Sequence, residues 1–551
     1  MKKVWSILWR VLTCLVVLFG LFWFQLPPIH IKSGEFWRFV FNGIIACVII
    51  NGCAGIIEFI RDHKKGEVQV KGFTLSKLKT LPLALKIIGI VIAAMIFLSL
   101  IFSLIGAQFF NASRYANLIT LQDGDFSADV AELSMTQIPV VDRDTATRLG
   151  QRKLGEMNDL VSQFEIEDDY TQINFKNNPV RVTPLKYADF VKWATNSDEG
   201  IPAYISVNLT TQEAQLVRLK DLGLDNIRYA RSEYFLRNVD RWLRFNYPTK
   251  IFGEVSFEID EEGTPYWIAS VIQYRIGFWS GEDIGGVVLL NAVTGESEYY
   301  DAGDAPKWVD QVYNESILFD QLRYNGLLSG GFWNSIFGQR GCVAPTDGYN
   351  YLAMDDDVWM YTGITSVTAD ESNVGFVLVN LRTKEARYYV QAGAEEYSAM
   401  DSAEGQIQEK NYESTFPLLL NVGGRPTYFM SLKDDAGLVK MYAYVDMAQY
   451  QIVGTGSSVN EARANYLKML KNENIEAAPE VPEDTETVSG RVTAVASAVI
   501  DGNTRYYVML GEDTRIHVLS AALSDALPFV KAGDTVTITY AGDTVTAVTV
   551  G

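Results

Sequence analysis

Three long apolar stretches stand in the first fifth of the chain and are separated by short polar segments. Each exceeds the roughly 20 apolar residues that a helix needs to cross a bilayer core. The first stretch leads into Pro27 and Pro28 without a pair of small residues, which favours an uncleaved helix over a secretory signal peptide. The pattern predicts a membrane anchor over residues 1–110, with transmembrane helices at about 4–24, 36–60 and 81–110.

A basic loop between the second and third stretches indicates the orientation of the anchor. Six Lys and Arg residues lie between Arg61 and Lys79. Loops with such an excess of positive charge remain in the cytoplasm. We therefore expect the N-terminus in the cytoplasm and the region after Phe110 outside the plasma membrane.

Small and weakly polar residues recur on one face of the second helix. Gly43, Cys47, Asn51 and Gly55 are spaced four residues apart, so they share one side of the helix. Such a stripe is typical of close helix–helix packing, and an ion or substrate path is the alternative. We expect packing, because the other two stretches supply almost no facing polar groups.

A repeated pattern marks the part of the chain that follows the anchor. Four times, a β-rich run leads into a turn that begins with Asn or Asp, and a second β-rich run follows. The turns begin at Asn208, Asn291, Asn380 and Asp446. Apolar side chains alternate along several of these runs, as on the buried face of a sheet. The pattern predicts four antiparallel hairpins, with helical patterns after several of them.

The strand, the hairpin with its Asn-x-x-Thr-Gly-Glu type of turn, and the flanking helix resemble PepSY-type units, which are small α+β modules of exported bacterial proteins. The similarity extends over about residues 140–470. Together with its anchor, the chain resembles uncharacterised bacterial multi-pass envelope proteins. The resemblance implies an inhibitory, scaffolding or partner-binding role outside the membrane, and it transfers no catalytic residue. The expected fold class is a membrane-anchored α+β protein, with repeated PepSY-like units over residues 111–470.

The C-terminal part has a different composition from the repeats. Residues 471–486 are rich in Glu, Ala and Pro, which predicts a linker. Residues 487–551 contain short alternating runs separated by turn signals, and this pattern predicts a small β-barrel that resembles an OB-like module. Acidic residues outnumber basic ones in this module, which disfavours oligonucleotide binding by the barrel.

Charge is distributed very unevenly along the chain. Residues 1–110 hold 12 basic and 4 acidic residues, whereas the remainder holds 35 basic and 63 acidic ones. An exterior with that balance repels phosphate, so nucleic acid is excluded as a partner. Cys342 is the one cysteine after the anchor, so no disulfide within this region is expected.

Residues for nucleophilic or metal chemistry are scarce. His517 is the one histidine after residue 110, and it lies in a strand pattern far along the chain from Cys342. We therefore predict no catalytic residue, no cofactor and no metal centre. The weak metal candidate is an acidic run that offers oxygen ligands to calcium, although a solvated hairpin tip is its default interpretation: Asp355, Asp356 and Asp357.

A glycine-rich loop between residues 330 and 341 is the best candidate for an exposed partner surface. It combines backbone freedom with large apolar side chains, which are costly in water unless they pack or meet a partner. These side chains are Phe332, Trp333, Ile336 and Phe337.

These features predict a non-enzymatic protein of the bacterial cell envelope that binds or scaffolds a partner. The expected partners are the lipid bilayer and another envelope protein or a wall polymer. One alternative is a carboxylate-dependent hydrolase of cell-wall glycan or peptide, because 63 acidic residues permit many carboxylate pairs. The other is an accessory subunit of a membrane transport or assembly complex.

Overall fold

The computed structural model describes most residues of the chain. They are residues 2–62, 83–134, 137–354, 356–367, 369–475, 485–500, 503–511, 515–520, 523–524, 526–541 and 544–551. Most of the predicted basic loop, residues 476–484 of the predicted linker, and Asp355 lie outside these ranges.

Helices occur in the anchor and between the sheets. They are α1 Lys2–Gln25, α2 Gly34–Asp62, α3 Leu83–Gly106, α4 Gln108–Ala116, α5 Phe126–Asp129, α6 Arg143–Gly155, α7 Phe190–Asn196, α8 Val239–Asn246, α9 Glu315–Leu328, α10 Glu396–Gln406 and α11 Val459–Asn472.

The strands begin after α4. They are β1 Leu121–Asp123, β2 Phe164–Ile166, β3 Thr171–Phe175, β4 Asn178–Tyr187, β5 Ala203–Asn208, β6 Ala214–Arg218, β7 Phe252–Ile259, β8 Pro265–Ile276, β9 Ser280–Asn291, β10 Ser297–Asp301, β11 Val343–Pro345, β12 Asn350–Met354, β13 Asp357–Ser366, β14 Ala369–Asn380, β15 Ala386–Ala394, β16 Glu413–Ser414, β17 Leu418–Val422, β18 Arg425–Lys433, β19 Val439–Asp446, β20 Val453–Gly456, β21 Thr485–Ile500, β22 Asn503–Leu510, β23 His517–Ser520, β24 Thr535–Ala541 and β25 Thr544–Val550.

Helices α1, α2 and α3 are long and apolar enough to cross a membrane, as the sequence predicted. The stripe of small residues on α2 faces α1. A Cβ atom on Gly43 would lie 2.6 Å from Cδ2 of Leu18, and the Asn51 side chain lies 3.8 Å from Sγ of Cys14. The two helices therefore pack closely along this stripe, which confirms the packing prediction.

The third apolar stretch differs from its prediction, because its helix ends at Gly106 rather than near Phe110. Ala107 is extended, and α4 begins at the next residue. Two side chains bind carbonyl groups at the end of α3: the amide of Asn111 donates to the Ile105 oxygen at 2.7 Å, and the Tyr115 hydroxyl donates to the Gly106 oxygen at 2.7 Å. These hydrogen bonds satisfy carbonyls that a continuing helix would have used.

Four antiparallel meanders of four strands each follow α4 within the described residues, and each belongs to a different sheet. They are meander 1 (β3–β6), meander 2 (β7–β10), meander 3 (β12–β15) and meander 4 (β17–β20), and in each one the strands lie in sequence order. Short strands extend three of the sheets, where β2 pairs with β4, β11 with β13, β1 with β15, and β16 with β18. We refer to residues 117–475 as the four-meander region.

Each meander ends in one of the predicted hairpins. The Oδ1 atoms of Asn208, Asn291 and Asn380 each accept hydrogen bonds from the backbone N–H groups two and three residues later, at 2.9–3.0 Å. Asp446 accepts one from the N–H of Gln449 at 2.8 Å. A short polar side chain that folds back on the turn fixes the register of the strands on either side. The hairpin prediction is thus confirmed at the level of strand pairing.

The C-terminal strands form one antiparallel sheet in the order β23-β22-β21-β24-β25. Val508, Val536 and Ile538 are fully buried in its own apolar core. The sheet also contacts the residues that follow β20, because Arg505 donates to the Ser457 hydroxyl at 2.7 Å and Ser520 donates to Glu461 at the start of α11 at 3.3 Å.

Candidate functional site

A cavity of about 350 Å³ lies where the four meanders meet. The first strand of every meander contributes to its wall, through Gln172 of β3, Val255 of β7, Tyr351 of β12 and Leu418 of β17. Clefts of a few hundred Å³ between structural units are typical of ligand sites. The cavity is therefore a candidate binding site that all four repeated units build together.

Arg181 supplies a buried positive charge to this cavity. The residue is 7% exposed, and its Nη2 donates to Oε1 of Gln172 at 3.0 Å. Its Nε has no hydrogen-bond partner, and among the described residues no carboxylate forms an ion pair with it. Burial lowers the pKa of the guanidinium, and the negative charge of Asp142 acts against this shift.

Local structure determines where this guanidinium lies. Arg181 on β4 is directly opposite Gln172 on β3 in the antiparallel register, so the two side chains are on the same face of the sheet. The guanidinium carbon also lies 6.0 Å from the ring centroid of Tyr351. A neighbouring strand and an aromatic ring thus position the cation, and no counter-ion does so within the described structure.

Acidic groups also line the cavity. At the exposed rim, Asp169 forms an ion pair with Arg143 at 3.1 Å. Glu315 accepts the hydroxyl hydrogen of Tyr351. Incomplete hydration raises the pKa of Glu254, and the negative charges of Glu315 and Asp169 raise it further. The site therefore combines one buried cation with several carboxylates that repel one another.

This arrangement is suited to binding an anionic group. Transferring a charge out of water costs several kcal/mol unless an opposite charge or hydrogen bonds compensate it. The described lining includes hydroxyl groups, such as those of Ser256, Ser270 and Ser431, but no His, Cys or Lys that would activate one of them. A ligand that places a negative group beside Arg181 would remove the electrostatic penalty.

A buried acid pair lies outside the cavity lining. Glu258 is 0% exposed and Asp310 is 2% exposed. Neither residue lines the cavity, although Gln311, the neighbour of Asp310, does. The pair is therefore placed to affect stability rather than to contact a ligand.

The acidic run of the weak metal candidate is divided between different environments. Asp356 is exposed in a turn with φ of 66°, and Asp355 lies outside the described residues. Asp357 is 6% exposed and forms a bidentate ion pair with Arg382 at 2.6 and 2.7 Å. Its Oδ2 also accepts from the Asn380 amide at 2.8 Å. Calcium binding here would require Asp357 to leave Arg382.

The residues of the predicted partner surface lie beside the membrane anchor and do not line the cavity. Phe332 and Trp333 pack against Phe109 of α4, with ring centroids 5.3 and 5.5 Å apart. Ile336 and Phe337 are 54% and 78% exposed. We call residues 330–341 the aromatic loop.

Sequence reasoning missed Arg181, although a signal was present. In the run Val180-Arg181-Val182, a charged residue interrupts a strand whose neighbours on both sides are apolar. Burial of a charged side chain in a strand is unfavourable unless a partner or a ligand compensates the charge. The chain matches no protein-family model and no curated protein sequence.

Proposed function

We propose that this protein is a membrane-anchored binding protein of the bacterial cell envelope, which captures a small ligand with a free carboxylate in the cavity between its meanders. One observation carries the proposal: Arg181 is buried in the cavity wall without a counter-ion in the described structure. A carboxylate accepts two parallel hydrogen bonds from a guanidinium, which is the strongest pairing available to this side chain.

The opposite charges of the cavity narrow the class of ligand. A molecule with a carboxylate at one end and an ammonium group at the other can satisfy Arg181 and the cluster around Glu254 and Glu315 together. The volume of about 350 Å³ is at the lower end of the range for ligand pockets, which favours an amino acid or a dipeptide. Peptides of this kind occur free and as ends of wall polymers.

The finer architecture is part of the same proposal. We assign the meanders with their flanking helices as PepSY-like units, supported by the repeated Asn-led or Asp-led turns, and the C-terminal sheet as an OB-like module, supported by its five antiparallel strands. We place the N-terminus in the cytoplasm and the meanders outside, supported by the basic loop after α2.

The orientation has a direct test. Protease added to intact spheroplasts is expected to remove an epitope fused after Gly551, because that end lies outside the membrane. Loss of the epitope is followed by immunoblot, with a cytoplasmic protein as the control for intact cells. Protection of the epitope until the membrane is broken would contradict the orientation.

The binding site is tested by Arg181→Met in the full chain in detergent. Without ligand, we expect this variant to raise the free energy of unfolding by about 1–3 kcal/mol, because methionine fills similar space without a buried charge. Millimolar alanyl-alanine is expected to raise the unfolding temperature of the wild type and to leave that of the variant unchanged. Tryptophan fluorescence during heating measures both effects.

Two controls distinguish a specific site from general effects. Arg152→Met removes an exposed ion pair with Glu156 outside the cavity lining, and we expect a change in stability below about 1 kcal/mol, with the peptide effect retained. Alanyl-alanine amide lacks the carboxylate and should not stabilise the wild type. If Arg181→Met destabilises the protein and alanyl-alanine stabilises both proteins equally, the assignment of the site is wrong.

A further inference from the structure

The four-meander region contacts the anchor at the end of α1. The guanidinium of Arg241 on α8 lies 4.4 Å from the ring centroid of Trp23, and Phe245 lies 5.9 Å from the same ring. Arg241 also donates to the Phe235 carbonyl oxygen at 2.7 Å. Next to this contact, Phe235 and Leu236 are 61% and 59% exposed. Two large apolar side chains thus project beside the end of a membrane helix.

A second contact reaches α3 within its apolar span. Phe278, in the turn between β8 and β9, stacks on Phe102 with ring centroids 4.0 Å apart, and Trp279 lies 5.6 Å from that ring. Gly277 has φ of 59°, and a Cβ atom on it would lie 3.0 Å from Cα of Gly106. Phe102 is four residues before the end of the span, or about 6 Å along the helix. The turn therefore reaches into the depth range of the span.

The aromatic loop makes the third contact, on Phe109. That residue is three positions beyond the end of the span at Gly106. The interfacial layer of a bilayer is about 5–7 Å thick on each side, so Phe109 and the rings packed on it fall within its depth. The exposed side chains of Trp333, Ile336 and Phe337 continue the same apolar surface.

The charge of these three segments is unlike that of the rest of the region. Residues 234–237, 277–281 and 330–341 contain two arginines and no Asp or Glu, although 63 acidic residues follow position 110. Exposed aromatic side chains are typical of the membrane interface, where rings lie at the level of the headgroups, although Glu233 and Glu282 adjoin two of the segments. Exposure of this apolar surface to water would be energetically unfavourable, whereas contact with phospholipid would not.

We propose that residues 234–237 and 330–341 lie in the interfacial layer of the leaflet that faces the four-meander region and that the turn at residues 277–281 reaches below this layer, so that the region contacts lipid at three points. The occupant of the apolar surface is phospholipid. Continuity with the anchor supports this choice, because the three segments adjoin side chains that contact the end of α1, the last turns of α3 and Phe109 just beyond α3. The inference is independent of the ligand in the central cavity.

Site-specific photocrosslinking tests this seating. The full chain carries benzoylphenylalanine in place of Phe337 or Leu236 and is reconstituted in nanodiscs of phosphatidylethanolamine and phosphatidylglycerol. Val390 on β15 is the matched control, because it is 78% exposed, as Phe337 is, and belongs to none of the three segments. We expect lipid adducts at positions 337 and 236 at least ten times more abundant than at 390, as measured by mass spectrometry of the intact protein.

Other outcomes would overturn the proposal. Equal labelling at the three positions would mean that the surface has no preference for lipid. Labelling at position 337 but not at 236 would contradict the proposed contact of all three segments with lipid. The same variants irradiated in cells should again give lipid adducts, whereas a protein adduct at position 337 would identify a protein as the occupant. An unchanged unfolding temperature of each variant verifies that it is folded.

Discussion

Replacing Asp446 by asparagine is expected to lower the free energy of unfolding by about 3 kcal/mol, because it removes one partner of a buried ion pair. Asp446 is 0% exposed and accepts two hydrogen bonds from Arg425, at 2.8 and 3.1 Å. The Tyr466 hydroxyl donates to the same carboxylate at 2.9 Å. Asparagine would direct its amide hydrogens toward these donors and leave the charge of Arg425 uncompensated.

Asparagine isolates the effect of the charge from that of the turn. The other three hairpins carry asparagine at the first residue of their turns, and its Oδ1 accepts from the N–H three residues later, so the hydrogen bond from the Gln449 N–H can persist in Asp446→Asn. Urea unfolding of the full chain in detergent, followed by tryptophan fluorescence, measures the loss. The side chain of Arg425 is 26% exposed, which places the effect at the lower end of the 3–5 kcal/mol typical of such substitutions.

A double variant is the control for this prediction. Arg425→Met combined with Asp446→Asn removes both charges, and it should lose less stability than Asp446→Asn alone, because no unpaired cation remains. If the double variant is as unstable as the sum of the two single variants, the two residues do not act as a pair. The cost would then have to come from the hydrogen bond of Tyr466.

Meander 3 contains the same kind of ion pair with the charges in exchanged places. Asp357 and Arg425 occupy equivalent positions at the start of β13 and of β18. In the strand register, each of them lies two residues before the residue that pairs with the first residue of its meander's last turn. In meander 3 the cation is Arg382, within the turn that Asn380 begins. The sequence showed an acidic run and a repeated turn at these places, but not that a side chain from one would pair with the other.

The strand pairs and helices that are determined by residues close together in sequence could be predicted from the sequence. The turns at Asn208, Asn291 and Asn380 rest on hydrogen bonds within three residues, and the anchor rests on apolar length. The end of α3 could not be predicted, because apolar composition continues to Phe110 while the hydrogen bonds of Asn111 and Tyr115 end the helix. Composition measures affinity for lipid and does not show which carbonyls lose their helical partners.

The cavity could not be predicted for a different reason. Its wall unites Gln172, Tyr351 and Leu418, which are far apart in sequence and meet only when the four sheets assemble. The aromatic loop was recognised as an exposed surface because its composition is local. Its position beside Phe109 depends on the way α4 packs against α9, which no periodicity encodes.

A rise in pH from 5.5 to 8.5 is expected to destabilise the four-meander region by at least about 2 kcal/mol. Burial raises the pKa of Glu258 from its ordinary value near 4.5 to about 7. Burial also raises the pKa of Asp310 well above its ordinary range, and the negative charge of Glu258 raises it further. A carboxyl group with a raised pKa stabilises the folded state below its unfolded pKa, and this contribution is lost as pH rises through the folded pKa.

The size of the effect follows from the shift of Glu258 alone. A rise from about 4.5 to about 7 corresponds to a total of about 3 kcal/mol, of which about 2 kcal/mol falls between pH 5.5 and 8.5. Ionised Asp310 adds to the loss, since the two acids share one buried place between meanders 1 and 2. There, Glu258 accepts from the N–H groups of Asp310 and Gln311, and Asp310 accepts from the N–H of Asn174 at 2.7 Å.

The variant Asp310→Asn distinguishes the contribution of this acid pair to the pH dependence from that of other titrating groups. Its side-chain oxygen can still accept from the N–H of Asn174, but the second buried acid is gone. We expect the variant to be more stable than the wild type at pH 8.5, and the difference to shrink toward pH 5.5. Urea unfolding of both proteins in detergent at four pH values measures the two slopes. Equal slopes would mean that ionisation of Asp310 does not contribute to the pH dependence, because nothing but the buried acid at position 310 distinguishes the two chains.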